Sequence, residues 1–93
     1  MVNSTYLTIT DHKYTQGQFS DTITGTIQNN SPQDVNFARV YAALYDNTNT
    51  LITVENGLVQ LKAGDSSPFD IHIFSKIKSD IDHYTLFAAG TPL

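Results

Sequence analysis

The sequence predicts an all-β fold, a single antiparallel sandwich domain spanning residues 1–93, and three observations carry that prediction. Short stretches in which apolar and polar residues alternate recur along the chain, the period expected of half-buried strands. Clusters of turn-forming residues punctuate them at Asn29-Asn30-Ser31-Pro32, at Asp46-Asn47-Thr48-Asn49-Thr50 and at Gly64-Asp65-Ser66-Ser67-Pro68. Nothing between these clusters is long and periodic enough to form a crossover helix, which excludes a parallel α/β sheet.

The elements follow in order. Tyr6 to Thr10 sets Leu7 and Ile9 against Thr8 and Thr10. Thr22 to Gln28 places Ile23, Gly25 and Ile27 on one face and threonines on the other, where the branched Cβ suits the pleat and the hydroxyl stays hydrated. Pro32, lacking an N–H, ends that ladder. The third strand, Val35 to Asp46, turns Val40, Ala42 and Leu44 to one side and Arg39, Tyr41, Ala43 and Tyr45 to the other, with room for a bulge at Phe37-Ala38. Leu51 to Val54 and Leu58 to Leu61 read as two short strands around Glu55-Asn56-Gly57. Lys62 to Asp65 is a turn in which Gly64 supplies a positive φ. Phe69, Ile71 and Ile73 alternate with Asp70, His72 and Phe74; Ser75 to Asp82 is a polar loop, and Tyr84 to Ala89 is the last strand. About seven strands with turn signals roughly every 8–12 residues predict an immunoglobulin-like sandwich.

Composition narrows the function classes. Of 93 residues, 40% are hydrophobic and the formal charge is −4, with Lys13, Arg39, Lys62, Lys76 and Lys78 scattered along the chain. No basic stripe exists to neutralise a phosphate backbone, so no nucleic-acid partner is expected. No apolar run approaches the ~18 residues of a membrane span. The absence of cysteine removes disulfides, thiolate nucleophiles and cysteine-based zinc sites together. Met1-Val2-Asn3-Ser4-Thr5 lacks the basic start and apolar segment of a signal peptide, and the abrupt ends predict a domain excised from a longer protein.

The run Gly25-x-x-x-Asn29, the strand ending Leu44-Tyr45-Asp46, the turn Gly64-Asp65-Ser66-Ser67-Pro68-Phe69 and the closing Tyr84-x-Leu86 together resemble the FxLYD domain family over about Tyr6 to Ala88. Two departures stand out: Ala42 occupies the phenylalanine position, and the usual glycine of the next hairpin is replaced within Asn47-Thr48-Asn49-Thr50. The resemblance implies an immunoglobulin-like sandwich of a prokaryotic secreted or cell-envelope protein, hence an extracellular or envelope location, with no established catalytic residues. A likeness to desiccation-related sandwich domains is fold-level analogy only. The motif residues have structural roles: Leu44 packs inward, Asp46 accepts hydrogen bonds from turn amides, Gly64 sets the turn, and Phe69 is the first core anchor of its strand.

No catalytic, metal or cofactor site emerges, and an enzyme is not expected. His12, His72 and His83 lack metal-ligand spacing. Asp70 and His72 share a strand face, which reads as polar surface rather than the start of a metal site. Ser66-Ser67 lacks a nucleophile elbow. Asp46 to Thr50 fails as a calcium loop, because Leu51 stands at the turn glycine and Gly57 at the bidentate glutamate. Asp80 and Asp82 read as solvated. Asn3-Ser4-Thr5 and Asn29-Asn30-Ser31 fit a glycosylation sequon, the second disfavoured by Pro32.

One arrangement points to a function. In an immunoglobulin-type sandwich the third strand and the last two share a sheet. Its outer surface is then expected to carry Tyr41, Tyr45, His72, Phe74 and Phe87, an aromatic face fit for a protein partner or for self-association. The leading expectation is a non-catalytic accessory or interaction domain. The alternative is a small ligand- or carbohydrate-binding module using exposed tyrosines as stacking platforms.

Overall fold

The structure, a computed structural model, describes residues 6–74 and 81–90, with Phe74 described in its backbone alone. The described residues form six strands: β1 (Leu7–Thr15), β2 (Ser20–Asn29), β3 (Val35–Tyr45), β4 (Leu51–Leu61), β5 (Ser66–Phe74) and β6 (His83–Ala89). They make two three-stranded sheets, β1-β2-β5 and β4-β3-β6, and every pairing is antiparallel. The fold is all-β, as the alternation predicts. The expected loop over Ser75 to Asp82 lies mostly outside the described residues, as does the Asn3-Ser4-Thr5 sequon.

The inner faces of the two sheets share one core. Ile23 and Ile27 from β2 and Phe69, Ile71 and Ile73 from β5 meet Val40, Ala42 and Leu44 from β3, Val59 and Leu61 from β4, and Ala88 from β6. Each large aliphatic side chain buried there stabilises the fold by about 1.5–3 kcal/mol. The inward residues read from the sequence in β2, β3 and β5 are the ones observed. The predicted bulge is present as a register shift between Val35 and Ala38. A second irregularity lengthens β1 beyond Thr10, where a bulge with Asp11 at φ 56° lets the strand resume at Lys13.

Two expectations are corrected. Glu55-Asn56-Gly57 does not separate two strands: these residues pair with Ala42, Tyr41 and Val40 inside a continuous β4 of 11 residues. Pairing along β3 outweighs the local turn signal, and Gly57 has a packing role instead. A Cβ on Gly57 would lie 2.8 Å from the Asp70 carbonyl oxygen of the opposite sheet, so only glycine allows that approach. Nor does β5 join β3. It pairs with β2 from Ser20↔Phe74 to Gln28↔Ser66, and of the last two strands only β6 pairs with β3. Dividing β4 in two advances the strand count by one, which shifts β5 into the wrong sheet.

The turns are built by polar side chains. Asn29 is fully buried; its side-chain amide donates to the Gln33 carbonyl at 2.8 Å and the Lys62 carbonyl at 3.3 Å, and its Oδ1 accepts from the Ser31 amide at 3.0 Å. One side chain thereby ties the β2–β3 turn to the β4–β5 turn, and its burial leaves Asn29 inaccessible as a glycosylation acceptor. Gly64 sits at φ 75°, the left-handed conformation expected of it. Between β3 and β4, Asp46 Oδ1 accepts from the amides of Thr48 (2.9 Å) and Thr50 (3.0 Å) and from the Thr48 hydroxyl (2.7 Å). Asn49, at φ 65°, fills the left-handed position in this hairpin, which asparagine tolerates better than most residues.

Candidate functional site

The outer face of β4-β3-β6 is assembled from four cross-strand rows fixed by the register. They are Leu51–Tyr45–His83, Val54–Ala43–Thr85, Asn56–Tyr41–Phe87 and Leu58–Arg39–Ala89. Because side chains alternate along a strand, all twelve project away from the core. Eight of these are apolar or aromatic. Leu51 (52% exposed), Leu58 (53%) and Val54 (38%) stand out along β4. Tyr41, Tyr45 and Phe87 are half-buried. Ala43 is only 2% exposed although it points outward, since Tyr41, Tyr45, Val54 and Thr85 surround its small side chain. The result is a broad, largely apolar surface with the small, covered Ala43 at its middle.

Three polar side chains of this face, Arg39, Asn56 and His83, are engaged in hydrogen bonds. Arg39 Nη1 donates to Asn56 Oδ1 at 3.2 Å. The His83 ring stacks on Tyr45 with centroids 5.0 Å apart and planes at 10°. Its nitrogens lie 2.9 Å from Asp82 Oδ2 and 2.9 Å from Asn49 Oδ1, which fixes the ring beside the β3–β4 hairpin. At that hairpin, hydrogen bonds from Thr48 and Thr50 hold the Asp46 carboxyl below the usual carboxylate range. The face carries no carboxylate.

Of the five residues expected on one face, the structure brings three together. Tyr41, Tyr45 and Phe87 lie on this face, with Tyr41 directly opposite Phe87. His72 is corrected to the other sheet, where it sits exposed in β5 opposite Thr22, 3.2 Å from Asp70. Phe74 is likewise in β5, opposite Ser20, and its side chain lies outside the described part. Sequence reading missed Leu51, Val54 and Leu58. Treating Leu51–Leu61 as one strand would have revealed Val54 and Leu58 in the same phase; Leu51 joins them through the register shift opposite Leu44 and Tyr45.

A second feature lies on the flank where β1 approaches β6. Two adjoining hollows, of about 490 and 530 Å³, are lined there by Leu7, Ile9, His12, Tyr14, Tyr84 and Leu86, among other residues. Their polar groups are tied to one another. His12 Nδ1 lies 3.0 Å from the Tyr84 hydroxyl, and Tyr14 donates a hydrogen bond to the buried carboxylate of Asp21. Burial, reinforced by Asp21, pushes the Tyr14 phenol upward, and burial alone raises that of Tyr84. Among the described residues no three histidine, aspartate or glutamate side chains converge as a metal site would require. No helix of the described residues is long and apolar enough to cross a membrane.

Compared with known proteins, the chain matches no family model, no curated protein and no solved structure.

Proposed function

We propose that the chain is a non-catalytic, immunoglobulin-like interaction domain that contacts a protein through the outer face of β4-β3-β6. The observation that carries this reading is the concentration of Tyr41, Tyr45, Leu51, Val54, Leu58 and Phe87 on one sheet surface. Contiguous exposed apolar surface of this kind marks association sites, because soluble domains otherwise keep such patches small. Strand order supports an immunoglobulin-like topology. With β1, β2 and β5 taken as strands A, B and E, and β4, β3 and β6 as C′, C and F, each described strand has a counterpart in that arrangement. The hairpin closed by Asp46 gives the Leu44-Tyr45-Asp46 motif a structural purpose, in keeping with the FxLYD resemblance. On that resemblance, the domain belongs to a prokaryotic cell-envelope or secreted protein.

The test is site-specific photo-crosslinking in the producing cell, with a photoreactive phenylalanine analogue placed at Tyr41, at Leu58 or, as control, at Thr24 on the other sheet. Discrete protein adducts from the first two positions and none from Thr24 are expected. Equal labelling from all three positions, or none from any, would remove the reading.

The flank hollows are the observation favouring a small-ligand or carbohydrate module. Tyr14 and Tyr84 line them with ring centroids 6.0 Å apart and planes inclined at 33°, both hydroxyls already engaged. That geometry offers a sugar no open aromatic plate, so the sheet face has the stronger support.

A further inference from the structure

Resting on the proposal of an interaction face, we infer that its partner is a second copy of this chain, packed sheet against sheet across β4-β3-β6. The first support is size. Strands β3 and β4 each have 11 residues and β6 has 7, and at about 3.3 Å per residue and about 4.8 Å between strands the three-stranded face covers about 450 Å². That is about a twelfth of the chain's 5631 Å² surface. Two such faces together bury about 900 Å², just under the ~1,000 Å² of a stable specific interface and in the range of a weak, reversible one.

The second support is charge. The chain carries −4 overall, yet none of its acidic residues occupies the twelve outward positions of this face. Two copies therefore approach through a broad surface whose outward positions oppose no carboxylates, while Asp46 and Asp82 stay beyond its ends. Arg39 is the single formal cation of the face and is bonded to Asn56. A two-fold axis lying in the interface and crossing the strands carries each Arg39 toward the Tyr45 end of the other copy, which separates the two guanidinium groups. A partner selected by charge would find little to read here. An apolar centre with Arg39, Asn56 and His83 at its margins is instead self-complementary, the property an isologous contact requires. The arrangement is a face-to-face sheet packing, with Ala43 providing the low centre into which side chains of the facing sheet fit.

The test is sedimentation velocity of the full chain from about 1 µM to about 1 mM, compared with Tyr41→Thr/Phe87→Thr and with Leu58→Thr. A concentration-dependent dimer with a dissociation constant on the order of 1–100 µM is expected. The double variant should weaken it at least about tenfold, the usual effect of truncating central aromatic anchors. Far-UV circular dichroism and melting curves verify that each variant is folded, and the milder Leu58→Thr provides the readout if the double variant is not. A wild-type chain that stays monomeric at ~1 mM, or a dimer unaffected by folded variants, overturns the inference. In the monomeric case, binding of the apolar dye ANS separates the two levels. Dye binding that disappears in Leu58→Thr leaves an open face for a different protein, whereas wild-type and variant chains that bind none remove the interaction face as well.

Discussion

The two outer faces of this molecule are built alike and composed oppositely. On β1-β2-β5 the outward rows are Thr8–Gln28–Ser66, Thr10–Thr26–Pro68, Lys13–Thr24–Asp70 and Thr15–Thr22–His72. On β4-β3-β6 the corresponding twelve positions include Leu51, Val54, Leu58, Tyr41, Tyr45 and Phe87, with Arg39 as the one formal charge. Both faces satisfy the pleat, because threonine, valine and the aromatics all favour strands. Strand propensity therefore does not explain the difference. The threonine face achieves the same sheet with hydrated hydroxyls, and its edges are blunted by the β1 bulge and by Pro68 in β5. The other face leaves apolar area in water, a cost that folding of the monomer does not require. Alternation tells a strand which side goes inward; the residues chosen for the opposite side separate a surface that only covers the domain from one that meets a partner.

The strongest way to break this comparison is to show that the outward apolar residues are a second core. Leu44→Ala on the inner side of β3 is expected to lower unfolding stability by about 2–5 kcal/mol, the cost of a cavity in a packed interior. Leu58→Thr on the outer side should change the monomer's stability by only about 0.5 kcal/mol, as surface substitutions do. Urea denaturation at about 0.1 µM, below the whole range expected for the dimer's dissociation constant, measures both. Comparable losses would mean that Leu58 stabilises the monomer itself, and the contrast between the faces would lose its functional meaning.

How much of this was legible from sequence depends on whether the signal is local. The inward set Val40, Ala42 and Leu44, the bulge before Ala38, the Asp46 closure and the positive φ of Gly64 follow from residue type and period within a few positions. Tyr41, Tyr45 and Phe87 were legible for the same reason. The errors lie where long-range pairing decides. Glu55-Asn56-Gly57 carries the composition of a turn, and only the eleven-residue β3 beside it makes the segment extended. Dividing β4 at that turn signal hides the phase linking Val54 to Leu58 and assigns β5, with His72 and Phe74, to the sheet it does not join. Asn29 shows a different limit. Its composition marks a turn, but its role as a buried tie to the Lys62 carbonyl depends on a residue 33 positions away.

A sharper form of the comparison concerns aromatics within each sheet. In β1 the inward-facing Tyr14, opposite Ile23, is joined to buried Asp21, whereas Tyr41 and Tyr45 of β3 turn outward. Tyr14→Phe is expected to lower stability at pH 7 by about 1–2 kcal/mol, a partly exposed hydrogen bond to a carboxylate falling below the fully buried value. The pH dependence has a definite sign. Burial and Asp21 raise the folded phenol above the ordinary value of about 10, so its stabilising contribution is complete below pH ~10 and disappears as pH rises beyond it. Urea titrations from about pH 8 to 11 should show wild-type stability falling faster than that of Tyr14→Phe. Parallel curves would place the Tyr14 hydroxyl in water and weaken the contrast between the inward tyrosine and the outward ones.

The smallest expected effect on folding is also the most discriminating between the faces. Thr24→Val and Leu58→Thr exchange the character of one central outward position on each sheet while keeping strand-compatible side chains. Each should move the melting temperature of the monomer by no more than about 2–4 °C, equivalent to roughly 0.5 kcal/mol in a domain of this size. Their effects on surface behaviour should nevertheless diverge. Thr24→Val adds one apolar side chain between Lys13 and Asp70, too isolated to form a patch, so apolar-dye binding and sedimentation should remain as in the wild type. Leu58→Thr interrupts a continuous row beside Arg39 and Ala89, so both properties should fall. If Thr24→Val alone induced association, the threonines would be suppressing an adhesive sheet, and the difference between the faces would be one of degree.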